Sequence, residues 1–169
     1  MLYSWRKPSY KDPDTGVYNQ TYFVETFNRQ WQKHLSKQQG LAILYVCPVL
    51  DETANPKPVL QSFSKKLKQK LVRQDDLIAR NDRGIFTIGI FAVDDYGMKA
   101  VLTRLKDAIE EEKDEANTLF HQRFDCRIAA GHCLPTSTKS SDGLIEKVEN
   151  AASKLCKKTG QHLDIIYWE

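Results

Sequence analysis

The sequence predicts an α+β fold in which helices cover the faces of one central, mainly antiparallel sheet. Three observations carry this expectation. Residues 71–86 read LVRQDDLIARNDRGIF, two apolar segments around the polar Asn81-Asp82-Arg83-Gly84. That is the pattern of a β-hairpin, with Gly84 free to take positive φ at the turn. Residues 41–46, LAILYV, form a continuous apolar run, as expected of a central strand buried on both faces. Four other stretches repeat apolar residues at helical spacing.

Taken in order, residues 1–11 read as a leader or linker before a domain spanning 12–169. A turn-forming cluster, DPDTGVYNQ, follows at 12–20. A helix then runs to about Ser36, with Phe23, Phe27, Trp31 and Leu35 as its apolar stripe. After the strand at 41–46, Pro48 cannot donate to a ladder, so the strand is expected to stop there. Residues 51–58 hold Pro56 and Pro58 and read as a connection. The next helix, from Val59 to about Val72, buries Leu60, Phe63, Leu67 and Leu71. Lys65, Lys66, Lys68 and Lys70 fall largely off that stripe and read as a solvated face.

Beyond the hairpin, a strand ends near Val93 and Asp94-Asp95 opens a helix, where carboxylates suit the positive end of the helix dipole. Met98, Val101, Leu102, Leu105, Ala108 and Ile109 form its buried face. Arg104 lies at the edge of that face, and residues 110–115 read as a solvated charge run at the helix end. A strand at 124–134, a helix at about 141–158 stopped by Thr159-Gly160, and a strand at 163–168 complete the chain.

Composition excludes several classes. The chain has 169 residues, enough for one domain with a proper core. A net charge of +3 is too mild to argue for nucleic acid as a partner. No apolar run approaches the ~18 residues of a membrane span. Cys47, Cys126, Cys133 and Cys156 are scattered, and His34, His121, His132 and His162 show no ligand spacing. Neither a metal nor a cofactor is therefore expected, and a reduced, cytoplasmic protein fits the cysteine pattern.

The hairpin and its flanks resemble the GGDEF family, the diguanylate cyclases. Arg73 and Asp76 fill an R-x-x-D, residues 77–80 fill the Leu-hydrophobic-Ala-Arg strand, and residues 82–86 stand where Gly-Gly-Asp-Glu-Phe should be. Upstream, Asp12, Thr15, Gly16 and Asn19 match the family's D-x-L-T-G-L-x-N-R, while Asp14, Val17 and Gln20 depart from it. Downstream, Lys157 and Gly160 match the ending A-L-Y-x-A-K-x-x-G-R-N. The resemblance spans residues 12 to about 167 and implies a GGDEF, nucleotidyl-cyclase-like single domain in degenerate form.

The resemblance implies a lost chemistry and a kept one. Family members bind Mg²⁺ through an Asp ending the central strand and the Glu of the hairpin. Here those positions hold Cys47 and Ile85, a soft sulfur and an alkyl group, where Mg²⁺ wants hard oxygen. The segment that holds guanine is shortened, and Asp82 and Arg83 replace the paired glycines. Cyclase activity is therefore not expected. The family's R-x-x-D, by contrast, is an inhibitory site for cyclic di-GMP, and its partner arginine falls, counting forward from Phe86, on Arg104. An Arg fork fits guanine O6 and N7, and a carboxylate accepts from N1–H and N2–H. The expected function is a non-catalytic cyclic di-GMP receptor using Arg73, Asp76 and Arg104. Two alternatives stay open: a protein-interaction or dimerisation domain, and a GTP sensor using the old cleft with Lys157 on the phosphate. A second copy of the chain or a partner protein is a further expected contact. Arg104 and Asp107 form a second R-x-x-D outside the hairpin register.

Overall fold

The computed structural model describes residues 10–51, 54–157 and 161–168. The elements run β1 (Tyr18–Asn19), α1 (Gln20–Lys37), β2 (Leu41–Leu50), α2 (Lys57–Lys70) and β3 (Leu77–Arg80). Next come β4 (Phe86–Phe91), α3 (Asp95–Leu119), β5 (Phe124–Cys133), α4 (Ser141–Lys157) and β6 (Leu163–Trp168). They build one α+β domain around a six-stranded sheet ordered β1-β3-β4-β2-β5-β6. The four inner strands pair antiparallel, and β1 and β6 join the two edges in parallel.

The apolar run of β2 is continuous because both its faces are covered. Ala42, Leu44 and Val46 pack with residues of α2 and α3. Leu41, Ile43, Tyr45 and Cys47 pack on the opposite side with α1 and α4. Alternation along a strand thus sends neighbouring apolar residues into two cores. Gly131 of β5 lets α4 approach closely, because a Cβ there would collide with Val148.

Local signals set the helix ends. Asn19 caps α1 by accepting from the Tyr22 N–H at 3.0 Å. Asp94 caps α3 by accepting from Gly97 N–H at 2.8 Å. The expected stop at Thr159-Gly160, and residues 1–9 of the expected leader, lie outside the described residues. Tyr10 and Lys11 run beside Tyr18, with Asn19 N–H donating to the Tyr10 carbonyl at 2.7 Å.

Four sequence expectations are corrected here. The central strand continues through Pro48 to Leu50, because β4 pairing ends at Val46 and only β5 neighbours β2 beyond it. Proline is tolerated at such an open edge. In α1 the buried stripe turns from Trp31 to His34 rather than Leu35, drawn toward Phe91, whose ring centroid is 5.5 Å away. Lys66 is buried rather than solvated. Residues 110–115 do not end α3, which continues to Leu119, and Glu112 in their midst is fully buried. Lys66 Nζ lies 2.8 Å from Glu112 Oε1 and 2.6 Å from Glu115 Oε2, locking α2 to α3.

Candidate functional site

Arg73 and Asp76 lie between the end of α2 and the start of β3. They close a tight reciprocal turn: Asp76 N–H donates to the Arg73 carbonyl at 3.1 Å, and Arg73 N–H donates to Asp76 Oδ2 at 3.1 Å. The turn is held from both sides, because Leu77 is buried against one core and Ile78 packs on the other. Arg104 lies on α3 between Val101 and Leu105, both buried. Burial raises the Asp76 carboxyl above its ordinary 3.8, and the Arg73 N–H and the charges of Arg73 and Arg104 pull it back. Asp76 is thus a half-buried acid that feels the charges of both arginines.

The Arg73–Asp76 contact runs through the backbone N–H, so the carboxylate is not closed off by the Arg73 side chain. Arg73 is exposed, and it lines a shallow cleft of about 430 Å³ with Gln39, Gly40, Val93, Asp94 and Gly97. Neither Asp76 nor Arg104 is among the residues that line it.

The far end of the hairpin carries a different surface. Asn81 Oδ1 accepts from Arg83 N–H and Ile85 N–H, both at 3.0 Å, and shapes the turn. Gly84 adopts φ of 79° there, as its sequence position requires. A cleft of about 330 Å³ is lined by Cys47, Pro48, Arg83, Gly84, Ile85, Ser153, Cys156 and Lys157. Asp82 is not among those residues. Burial pushes the Cys47 thiol well above the usual thiol range, and the neighbouring Cys156 thiol adds to this. Among the described residues, no group of three His, Cys, Asp or Glu side chains is placed to hold a metal ion. An alkyl group, a protonated thiol and two cations do not fit Mg²⁺, so no metal chemistry is derived at this cleft.

Two arrangements of charge escaped the sequence reading. Arg80 Nη1 lies 3.4 Å from both Asp12 Oδ2 and Asp14 Oδ2, tying the turn before β1 to the end of β3. Arg127 of β5 donates from Nη1 to the carbonyls of Leu155 and Cys156 at 3.0 and 2.9 Å, satisfying the end of α4. Each pair is separated by tens of residues, so spacing alone carried no signal for either.

No protein-family model matches the chain, and no curated protein matches it. Solved structures do resemble it. The GGDEF domain of FimX from Pseudomonas aeruginosa superposes with a TM-score of 0.71 at 15% identity, covering 95% of this chain and 100% of that one. The GGDEF domain of DgcB from Caulobacter crescentus, solved in complex with c-di-GMP, gives 0.76 at 10% identity, covering 96% and 97%. Diguanylate cyclase SiaD from Pseudomonas aeruginosa, solved with its activator SiaC, gives 0.76 at 15% identity, covering 99% of this chain and 65% of that one. The fold is that of GGDEF domains. No helix among the described residues is long and apolar enough to cross a membrane.

Proposed function

We propose that residues 12–169 form a degenerate, non-catalytic GGDEF domain that acts as a cytoplasmic receptor for cyclic di-GMP. One observation carries this reading: the half-buried Asp76 carboxylate, held to the Arg73 backbone, feels the charges of both Arg73 and Arg104. The Arg73 fork would take guanine O6 and N7, and Asp76 would accept from N1–H and N2–H. Arg104 would stack on a base or pair with a phosphate. That a GGDEF domain of the same fold was solved with c-di-GMP supports the choice of ligand.

Loss of catalysis is part of the same proposal. Cys47 and Ile85 line the cleft where hard oxygen ligands would be needed. Lys157 favours a second reading, a GTP sensor, because it lines that cleft. A single ammonium without metal or base contacts is a weak basis for it, so GTP should bind no tighter than about 1 µM, or about −8 kcal/mol. The test is calorimetric titration with cyclic di-GMP and GTP in parallel at fixed salt. Heat with cyclic di-GMP, and an affinity that falls in Arg73→Ala, support the receptor. No heat at tens of micromolar ligand, or binding indifferent to Arg73→Ala, leaves a domain that contacts a partner protein or a second copy as the better reading.

A further inference from the structure

The cleft beside Cys47 brings two thiols together from distant parts of the chain. Cys47 is buried on β2, Cys156 is exposed in the last turn of α4, and both line the cleft. Arg127, the register partner of Cys47 across β2 and β5, fastens the last turn of α4 over that strand through the Leu155 and Cys156 carbonyls. Cys126, one register position along, points into the opposite core among Phe63, Ile109 and Phe124. Cys133 is buried at the other end of β5. Of the four cysteines, then, one pair shares a solvent-reaching surface, and its members are an exposed thiol with a buried thiol behind it.

We propose that Cys47 and Cys156 are a redox pair that a hydroperoxide converts into a disulfide, stapling the end of α4 to β2 across the cleft. The exposed Cys156 sulfur, as thiolate, attacks an oxygen of the hydroperoxide. The O–O bond breaks, Cys156 becomes a sulfenic acid, and water or an alcohol leaves. The Cys47 sulfur then attacks the Cys156 sulfur. The S–S bond forms, the S–O bond breaks, and the Cys47 proton departs with the hydroxyl as water. Two thiols and one hydroperoxide give one disulfide, one water and one water or alcohol. Burial keeps Cys47 protonated, which disfavours it as the group that meets the hydroperoxide and leaves that role to the exposed Cys156. In the second step Cys47 gives up its proton to the departing hydroxyl as its sulfur attacks. The pair sits at the turn end of the β3–β4 hairpin, whereas Arg73 and Asp76 sit at the end where β3 begins. The disulfide therefore stands independently of nucleotide binding at that corner.

The test treats the reduced full chain with hydrogen peroxide, then unfolds and alkylates it. The expected product is lighter by two hydrogen atoms before alkylation, takes up two alkyl groups instead of four, and yields a linked peptide pair containing Cys47 and Cys156. A thiol reductant restores four alkylatable thiols. Cys156→Ser, a change at an exposed position, abolishes the linkage. Cys47→Ala leaves a Cys156 sulfenic acid that a dimedone-type probe labels. Four free thiols after peroxide, a linkage through Cys126 or Cys133, or Cys156 oxidised past sulfenic acid with Cys47 untouched would each overturn the proposal.

Discussion

Arg73 is the residue on which the receptor reading turns most directly. Its backbone is held by Asp76 while its side chain is exposed, so Arg73→Ala should remove a ligand contact and leave the turn intact. A bidentate guanine contact is worth about 1–3 kcal/mol, a loss of roughly 5- to 150-fold in affinity, read by calorimetry. Asp107→Ala, in the second R-x-x-D, should leave binding unchanged, because Asp107 lies on an exposed face of α3. Asp76 gives the pH dependence its sign. Its folded pKa is raised, so its ionisation slightly opposes folding, and the carboxylate is stabilised instead by guanine donors in the complex. Affinity for cyclic di-GMP should therefore fall as pH drops through the window just above 3.8, and titrations there should show proton release on binding. A pH-independent affinity from neutrality into that window would remove Asp76 from the contact.

Between elements, the α2–α3 seam is the most consequential contact that lacks an apolar explanation. Burial works against the Lys66 ammonium, but hydrogen bonds and attraction from Glu112 and Glu115 outweigh it and raise its pKa. Removing Lys66 would leave the buried Glu112 charge with only the Ser62 hydroxyl on Oε1 and no partner on Oε2. Lys66→Met should cost about 3 kcal/mol in urea denaturation. Lys66→Met with Glu112→Leu should recover most of that, because no buried charge is left uncompensated. The sign of the pH effect follows from the raised pKa. The pair's contribution is complete below 10.5 and is lost as pH climbs through the higher folded value, so the double variant should outlast the wild type in alkali. On the opposite face, Gly131→Ala should push α4 off β5 and cost about 1–3 kcal/mol, measured the same way.

Across the whole molecule, ligand and stability are linked. At a cyclic di-GMP concentration about 100 times Kd, the folded state gains about 2.7 kcal/mol, a rise in Tm on the order of 5–10 °C by scanning calorimetry. The same concentration of GTP should leave Tm unmoved. Incubation with GTP and Mg²⁺ should yield no cyclic di-GMP by chromatography. On the proposed reading, Cys47→Asp with Ile85→Glu should not restore turnover, since the resemblance implies a shortened guanine-holding segment. Product above a no-protein control, from either chain, would overturn the non-catalytic reading.

The fold was legible because its signals are local. Period-2 and period-3.6 apolar patterns, Gly84 at a turn and Asp94 before α3 each act within a few residues. Arg73 and Asp76 stand out in the sequence for the same reason, being three residues apart and tied to the hairpin register, and Arg104 is proposed from counting forward from Phe86. What only the tertiary structure decided are pairings between charges far apart in the chain. Lys66 and Glu112 each look like solvated surface on their own helix, and only the packing of α2 on α3 makes them one buried pair. The long β2 through Pro48 likewise depended on where β4 stops, and the meeting of Cys47 with Cys156 on where α4 lands. A sequence states which residues are apolar and how they repeat. Which polar groups lose their water depends on which surfaces come to face each other, and that is settled only when the chain has folded.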